Sequence, residues 1–259
     1  MTRVLIVESE TPDVSARFGR RLAVEYGRAL RQIDPAIEFE VENPYVDPLD
    51  AARLARYHAV AFPGSTMDWS TDAPEARPLR AAMEAVFTRG LPCFGSCNGM
   101  QLAAVVLGGS VGSAAELEVG LARNIKLTAA GRNHPMLAGR PATYAVPAIH
   151  RDQVTELPSG AVCLAGNTHT ANQAFTYEQS GVDFWGVQYH PEYSPADVAR
   201  SLASRPMMFA QHMPLLQDLK RADHSSTHAA QLGSTPEELL PPQRDTELRQ
   251  WVARIKSAS

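Results

Sequence analysis

Cys97 stands in Gly95-Ser96-Cys97-Asn98-Gly99, a G-x-C-x-G segment that is the thiol counterpart of the nucleophile elbow, in which a strand turns sharply into a helix. Glycine on both sides suits so tight a turn, where strained angles and neighbouring chain leave no room for side chains. The sulfur is then expected at a helix N-terminus, where unpaired N–H groups and the helix dipole favour a thiolate. Those N–H groups also suit an oxyanion. The Asn98 backbone N–H is one expected donor, and the turn at Pro63-Gly64-Ser65 is expected to offer the second. A thiol nucleophile needs a base, and His190-Pro191-Glu192 supplies an imidazole with a carboxylate two residues on. In extended chain the two side chains point the same way, so Glu192 would orient His190 while the other ring nitrogen faces Cys97. Gln101, four residues after Cys97, shares its helix face. The chemistry in prospect is acyl transfer through a cysteine thioester.

These groups need elements to hold them. Val4–Val7, Ile37–Val41, His58–Phe62 and Leu91–Phe94 read as short buried strands. They alternate with amphipathic stretches over Ser15–Arg31, Pro78–Arg89 and Met100–Leu107, which is the pattern of βαβ units around a mostly parallel sheet. Phe18, Leu22, Tyr26 and Leu30 give the first helix an apolar face, and Gly90 ends the second. After Gly108-Gly109 the texture becomes α+β, with β-like pieces at Ala122–Leu127, Thr143–Val146, Ala161–Ala165, Ala171–Phe175 and Phe184–Val187. Ser194-Pro195 opens a helix with an N-cap residue and a first-turn proline. Beyond Arg205 a helical extension is expected over 206–259. Thr235-Pro236-Glu237-Glu238 has capping-box spacing there, and Leu248, Trp251, Val252 and Ile255 form an apolar stripe that must pack on something.

Composition removes several classes. In 259 residues, 24 Lys+Arg against 28 Asp+Glu leave a net charge of −4, with no basic stripe for nucleic acid or an anionic bilayer. No apolar run approaches the roughly 18 residues of a membrane span. The N-terminal apolar run meets Glu8 too soon for a signal peptide, so a cytoplasmic location is expected. Cys93, Cys97 and Cys163 lack disulfide-framework or zinc spacing, and Cys93 and Cys163 read as core. His212, His224 and His228 read as solvated surface, and His134 before Pro135 as a turn residue. No metal is expected.

Cys97-Asn98-Gly99-Met100-Gln101 together with Gly186-Val187-Gln188-Tyr189-His190-Pro191-Glu192 resembles the class I, triad-type glutamine amidotransferase domains, of the stand-alone GMP-synthase-like kind. Pro63-Gly64-Ser65, Glu118-Val119-Gly120 and His150-Arg151-Asp152-Gln153-Val154 agree more weakly, and the likeness spans residues 1–205. Ser96 and Asn98 depart from the family's usual choices beside the nucleophile. The resemblance implies an α/β, flavodoxin-like, doubly wound fold with a mostly parallel sheet and extra antiparallel β pieces. It makes Cys97 the nucleophile, His190 the general acid/base and Glu192 its orienting carboxylate. Asn98, Gly64 and Ser65 would form the oxyanion hole, and Gln101, His150 and Asp152 would help hold the substrate. No cofactor is implied, and no phosphate-binding loop of P-loop type occurs. The implied reaction is hydrolysis of the side-chain amide of L-glutamine, releasing ammonia. A γ-glutamyl hydrolase or transferase acting on another amide, and a non-catalytic regulatory subunit, stay open. So do a separate synthetase as acceptor and a homodimer.

Overall fold

The computed structural model describes residues 2–19 and 21–257. The apolar runs become strands, and among these residues nine of them form one sheet: β1 Arg3–Val7, β2 Glu38–Glu42, β3 Ala59–Phe62, β4 Cys93–Ser96, β5 Ser110–Leu127, β6 Thr143–Glu156, β7 Val162–Gly166, β8 Ala174–Gln179 and β9 Val182–Val187. Their spatial order is β2-β1-β3-β4-β9-β8-β7-β5-β6. The first five run parallel, in the order of a flavodoxin-like sheet. From β9 onward each pairing is antiparallel, so the second half of the chain extends the same sheet. The short pieces expected near 122–127 and 143–146 are in fact parts of the long β5–β6 ribbon, whose bulges hide its alternation from a sequence pattern. The piece expected over Ala171–Phe175 lies three residues further on, as β8.

The helices are α1 Pro12–Phe18, α2 Leu22–Ile33, α3 Ala51–Leu54, α4 Arg77–Arg89, α5 Asn98–Val106, α6 Ala129–Asn133, α7 Pro195–Ser204, α8 Leu216–Leu219, α9 Ser226–Gln231, α10 Pro236–Leu239 and α11 Thr246–Ser257. The single helix expected over 15–31 is two, because Gly19 adopts φ 61° and caps α1. Side-chain alternation along β1 shows why both faces of the sheet are covered. Val4 and Ile6 join a core with Tyr26 and Leu30 of α2 and Trp251 of α11. Leu5 and Val7 join the opposite core with Met83 and Phe87 of α4 and Leu102 of α5. A third cluster packs α7–α10 against β5 and β6 through Leu121, Ala145, Val198 and Leu239. The stripe Leu248, Trp251, Val252, Ile255 is thus part of the main core, with the Trp251 and Phe94 ring centroids 5.7 Å apart. Arg140 and Glu247 tie α11 down with two buried hydrogen bonds of 2.7 Å, and the Tyr189 hydroxyl donates to Glu247 at 2.9 Å. Among the described residues no helix is long and apolar enough to cross a membrane.

Candidate active site

β3, β4 and β9 are neighbours, and their registers align Phe62 with Gly95 and Ser96 with Val187. The segments leaving their C-terminal ends therefore meet, and they carry Gly64, Cys97 and His190. Cys97 has φ 50° and ψ −106°, a left-handed conformation costly for a residue with a Cβ. Its N–H is held by the Val187 carbonyl at 2.8 Å, and its own carbonyl starts α5 by accepting from Gln101 at 3.1 Å. Gly99 explains the pattern that brackets it: a Cβ there would lie 2.1 Å from the Phe62 carbonyl oxygen. The polar residue before Cys97 is also accounted for, since the buried Ser96 hydroxyl is 3.1 Å from the Tyr26 hydroxyl.

His190 lies beside Cys97, whose side chain is among the groups that act on its ring. Its Nδ1 is 2.7 Å from Glu192 Oε1, which leaves Nε2 for the thiol side. The segment is a turn and not the extended chain expected, because the Tyr193 N–H closes back on the His190 carbonyl at 3.1 Å. That turn still brings imidazole and carboxylate together, and Tyr193 stacks on the ring with centroids 4.4 Å apart. Burial opposes a charge on His190. Glu192, bonded to the ring, and the neighbouring Cys97 side chain outweigh it, raising the imidazole pKa to about 10. His190 therefore holds both protons at neutral pH.

Gly64 presses against this ring, and a Cβ there would sit 2.6 Å from His190 Cε1. The loop that holds it is splinted by the segment after β1. Ser9 donates to the Pro63 carbonyl at 3.3 Å, Ser65 donates to the Ser9 carbonyl at 3.1 Å, and Glu10 accepts from Thr66 at 3.3 Å. The Ser65 hydroxyl is thus committed to the loop, leaving only its backbone to face a substrate. Asn98 is the first residue of α5, so its N–H lacks an intrahelical partner.

Cys97 opens into a 280 Å³ chamber also lined by Asn98, Gln101, His150, Asp152 and Trp69. Gln101 donates to the Asp152 carbonyl at 2.5 Å and to Gln188 Oε1 at 3.2 Å. Both His150 nitrogens are engaged, one with the Asp152 carbonyl at 3.1 Å and one with Glu118 at 2.8 Å, so the ring shapes the wall. The Asp152 carboxylate accepts from Ser113 at 2.6 Å. Behind them Glu118 is a hub that the sequence reading left without a role. Burial raises the cost of its charge, but His150, Asn167 and Gln173 together hold its pKa below the usual value. Glu118, His150 and His169 have the composition of a metal site. However, N–H donors from Asn167 at 2.7 Å and Gln173 at 2.6 Å already fill the carboxylate, as in a hydrogen-bonded support. Tyr193, Glu118 and Glu10 had no usable spacing signal, because each reaches the site through a turn or a cross-strand pair.

Cys93 is buried, and burial pushes its thiol pKa well up, as suits a core residue. His228 pairs with Asp218 at 2.7 Å, and His134 accepts from the Met136 N–H at 3.2 Å in its turn.

Residues 29–205 match the model of the family described as glutamine amidotransferase class-I. Among curated proteins, the chain is 34% identical over 207 residues to a gamma-glutamyl-L-1-hydroxyisopropylamide hydrolase of a Pseudomonas species, covering 76% of this chain and 70% of that protein. It is 29% identical over 186 residues to a glutamine-hydrolyzing GMP synthase of a Nitratiruptor species, covering 71% of this chain but 34% of that protein. Among solved structures, a glutamine amidotransferase of Thermotoga maritima superposes with a TM-score of 0.61 at 18% identity, covering 98% of this chain and 97% of that one.

Proposed function

The chain belongs to the class-I glutamine amidotransferase family, and from that premise we propose that it hydrolyses a γ-glutamyl amide, L-glutamine first of all, through a thioester on Cys97. The observation that supports this reading is His190 bonded to Glu192 and set beside Cys97, which lines the chamber. Cys97 sulfur attacks the amide carbon, and the Asn98 N–H with the Gly64–Ser65 backbone receives the negative oxygen. One such donor is worth about 10²- to 10³-fold in rate. His190 gives its proton to the departing nitrogen. Having given that proton away, the imidazole is free to take one from water. The hydroxide then cleaves the thioester to glutamate and restores the thiol. Gln101, His150 and Asp152 form the wall against which the glutamyl portion lies.

On this reading residues 1–205 carry the reacting groups, and the 206–259 extension lines the chamber through Met208 and Phe209 and packs behind Tyr189. Free Cys93, Cys97 and Cys163 suit a reducing compartment such as the cytoplasm. The GMP synthases that the chain matches over about a third of their length support a separate synthetase as ammonia acceptor. A second reading, a γ-glutamyl hydrolase for a larger amide, is favoured by the Pseudomonas relative, whose whole length is matched more fully.

Ammonia or amine release from L-glutamine and γ-glutamyl amides, followed with Cys97→Ser, tests the assignment. A loss of at least about 10³-fold with the fold retained is expected. A Cys97→Ser protein as fast as its parent refutes it.

A further inference from the structure

Ammonia needs no room of its own, yet the Cys97 chamber does not stand alone. A second cavity of 630 Å³ abuts it, and the two share Thr66, Met67, Asp68, Trp69, Arg205 and Met208 as a common wall. The inner chamber, at 280 Å³, is less than half as large. Arg205 marks the boundary: its guanidinium lies 5.1 Å from the Phe209 ring, which lines the inner chamber, and 5.7 Å from the Phe18 ring, which lines the outer one.

The outer cavity is mostly apolar. Val14 and Phe18 of α1 line it together with Met67, Trp69, Met207 and Met208, and two aspartates, Asp13 and Asp68, are matched by two arginines, Arg17 and Arg205. Met207 is 93% and Met208 54% exposed, unusual for methionine in a folded chain. Unbranched thioether side chains at a cavity rim form a wall that adapts to different apolar shapes. The cavity also lies on the loop that bears Gly64, since Thr66 follows it by two residues. The wall that the two cavities share is thus built in part from the loop that bears Gly64.

We propose that the outer cavity receives the amine half of an N-substituted γ-glutamyl amide, a primary amine with an apolar chain of a few carbons. The inner chamber takes the glutamyl half. Trp69 and Met208, shared by both, and Met207 and Phe18, confined to the outer room, determine which amines are accepted. This inference rests on Cys97 being the nucleophile of a γ-glutamyl hydrolase. In the step concerned the Cys97 sulfur–carbon bond forms, the carbon–nitrogen bond breaks, and the nitrogen leaves as RNH₂ carrying the proton from His190.

The test is kcat/KM of the full chain on L-glutamine and on its γ-methyl-, ethyl-, propyl- and butylamides. Burying each added methylene in the outer room raises kcat/KM by about fourfold along the series, so the longer amides exceed glutamine. Met207→Trp and Val14→Trp, which fill the cavity from two sides, lower the butylamide-to-glutamine ratio at least tenfold. Circular dichroism and Cys97 labelling by 6-diazo-5-oxo-L-norleucine report whether each variant is folded and its thiol reactive. Glutamine turnover with butylamide at less than a hundredth of its kcat/KM overturns the amine room but leaves the hydrolase reading standing. A butylamide-to-glutamine ratio unchanged in both folded variants overturns the room as well. Failure to turn over any of the five substrates, with an unlabelled Cys97, overturns the hydrolase reading beneath it.

Discussion

Between Gly64 and His190 there is no space for a methyl group, since a Cβ at Gly64 would meet the imidazole at 2.6 Å. Gly64→Ala is therefore expected to displace the ring and lower kcat by about 10- to 100-fold, consistent with the sensitivity of rate to misplacements of about 1 Å. KM should change less, and steady-state kinetics would show the split. The protonation of His190 adds a pH signature. Its pKa is raised to about 10 against burial by Glu192 and Cys97, so kcat/KM for L-glutamine should hold through neutrality and fall as pH rises through about 10. The same shift is a stability statement, and its sign follows from a folded value above the unfolded one. The contribution is complete below about 6.5 and is lost as pH rises through about 10.

At the scale of elements, the segment after β1 holds the Gly64 loop through Ser9, Glu10, Ser65 and Thr66, and it contains a titratable group of its own. Burial, aided by the charge of Glu10, raises the Glu8 pKa from 4.5 to about 7. Its stabilising contribution is thus complete below 4.5 and is lost as pH rises through about 7. Glu8→Gln should match its parent in urea unfolding at pH 5 and exceed it at pH 8; equal midpoints at both would contradict the shift. The β5–β6 ribbon holds the opposite wall, with Glu118 directly across from His150. Glu118→Ala strands His150, Asn167 and Gln173 without their acceptor, and each stranded group costs about 1–3 kcal/mol. Loss of thermal stability together with a raised KM for L-glutamine is the expected result.

Over the whole molecule, the C-terminal helix closes one face of the sheet from which the loops bearing Gly64, Cys97 and His190 leave. Trp251 is buried in the core with Phe94, one strand position ahead of the elbow glycine. Trp251→Ala should cost about 3–5 kcal/mol in denaturant unfolding. The Arg140–Glu247 pair, buried beside Tyr189, makes a similar point through charge. Burial disfavours the Arg140 cation, but Glu247 more than compensates and holds its pKa above the ordinary value. Glu247→Ala leaves that cation alone, and about 3–5 kcal/mol of stability should be lost. Because Tyr189 precedes His190, the same variant measures how far this helix steadies His190.

Much of the site was legible in the chain because its local parts are dictated locally. A cysteine between glycines needs only the sterics of one turn, and His190 with Glu192 needs only a short segment, whether extended or turned. Apolar runs near 4–7, 59–62 and 93–96 determine buried strands, and their alternation with amphipathic helices determines a doubly wound sheet. Tertiary structure alone decided that β9 pairs with β4, which sets His190 beside a sulfur 93 positions away in sequence. It also decided that bulged strands β5 and β6 bring Glu118 to His150, that α11 belongs to the core, and that a second room adjoins the first. Such features arise from contacts between distant segments, whose closeness follows from packing the entire sheet and leaves no periodic mark on either segment.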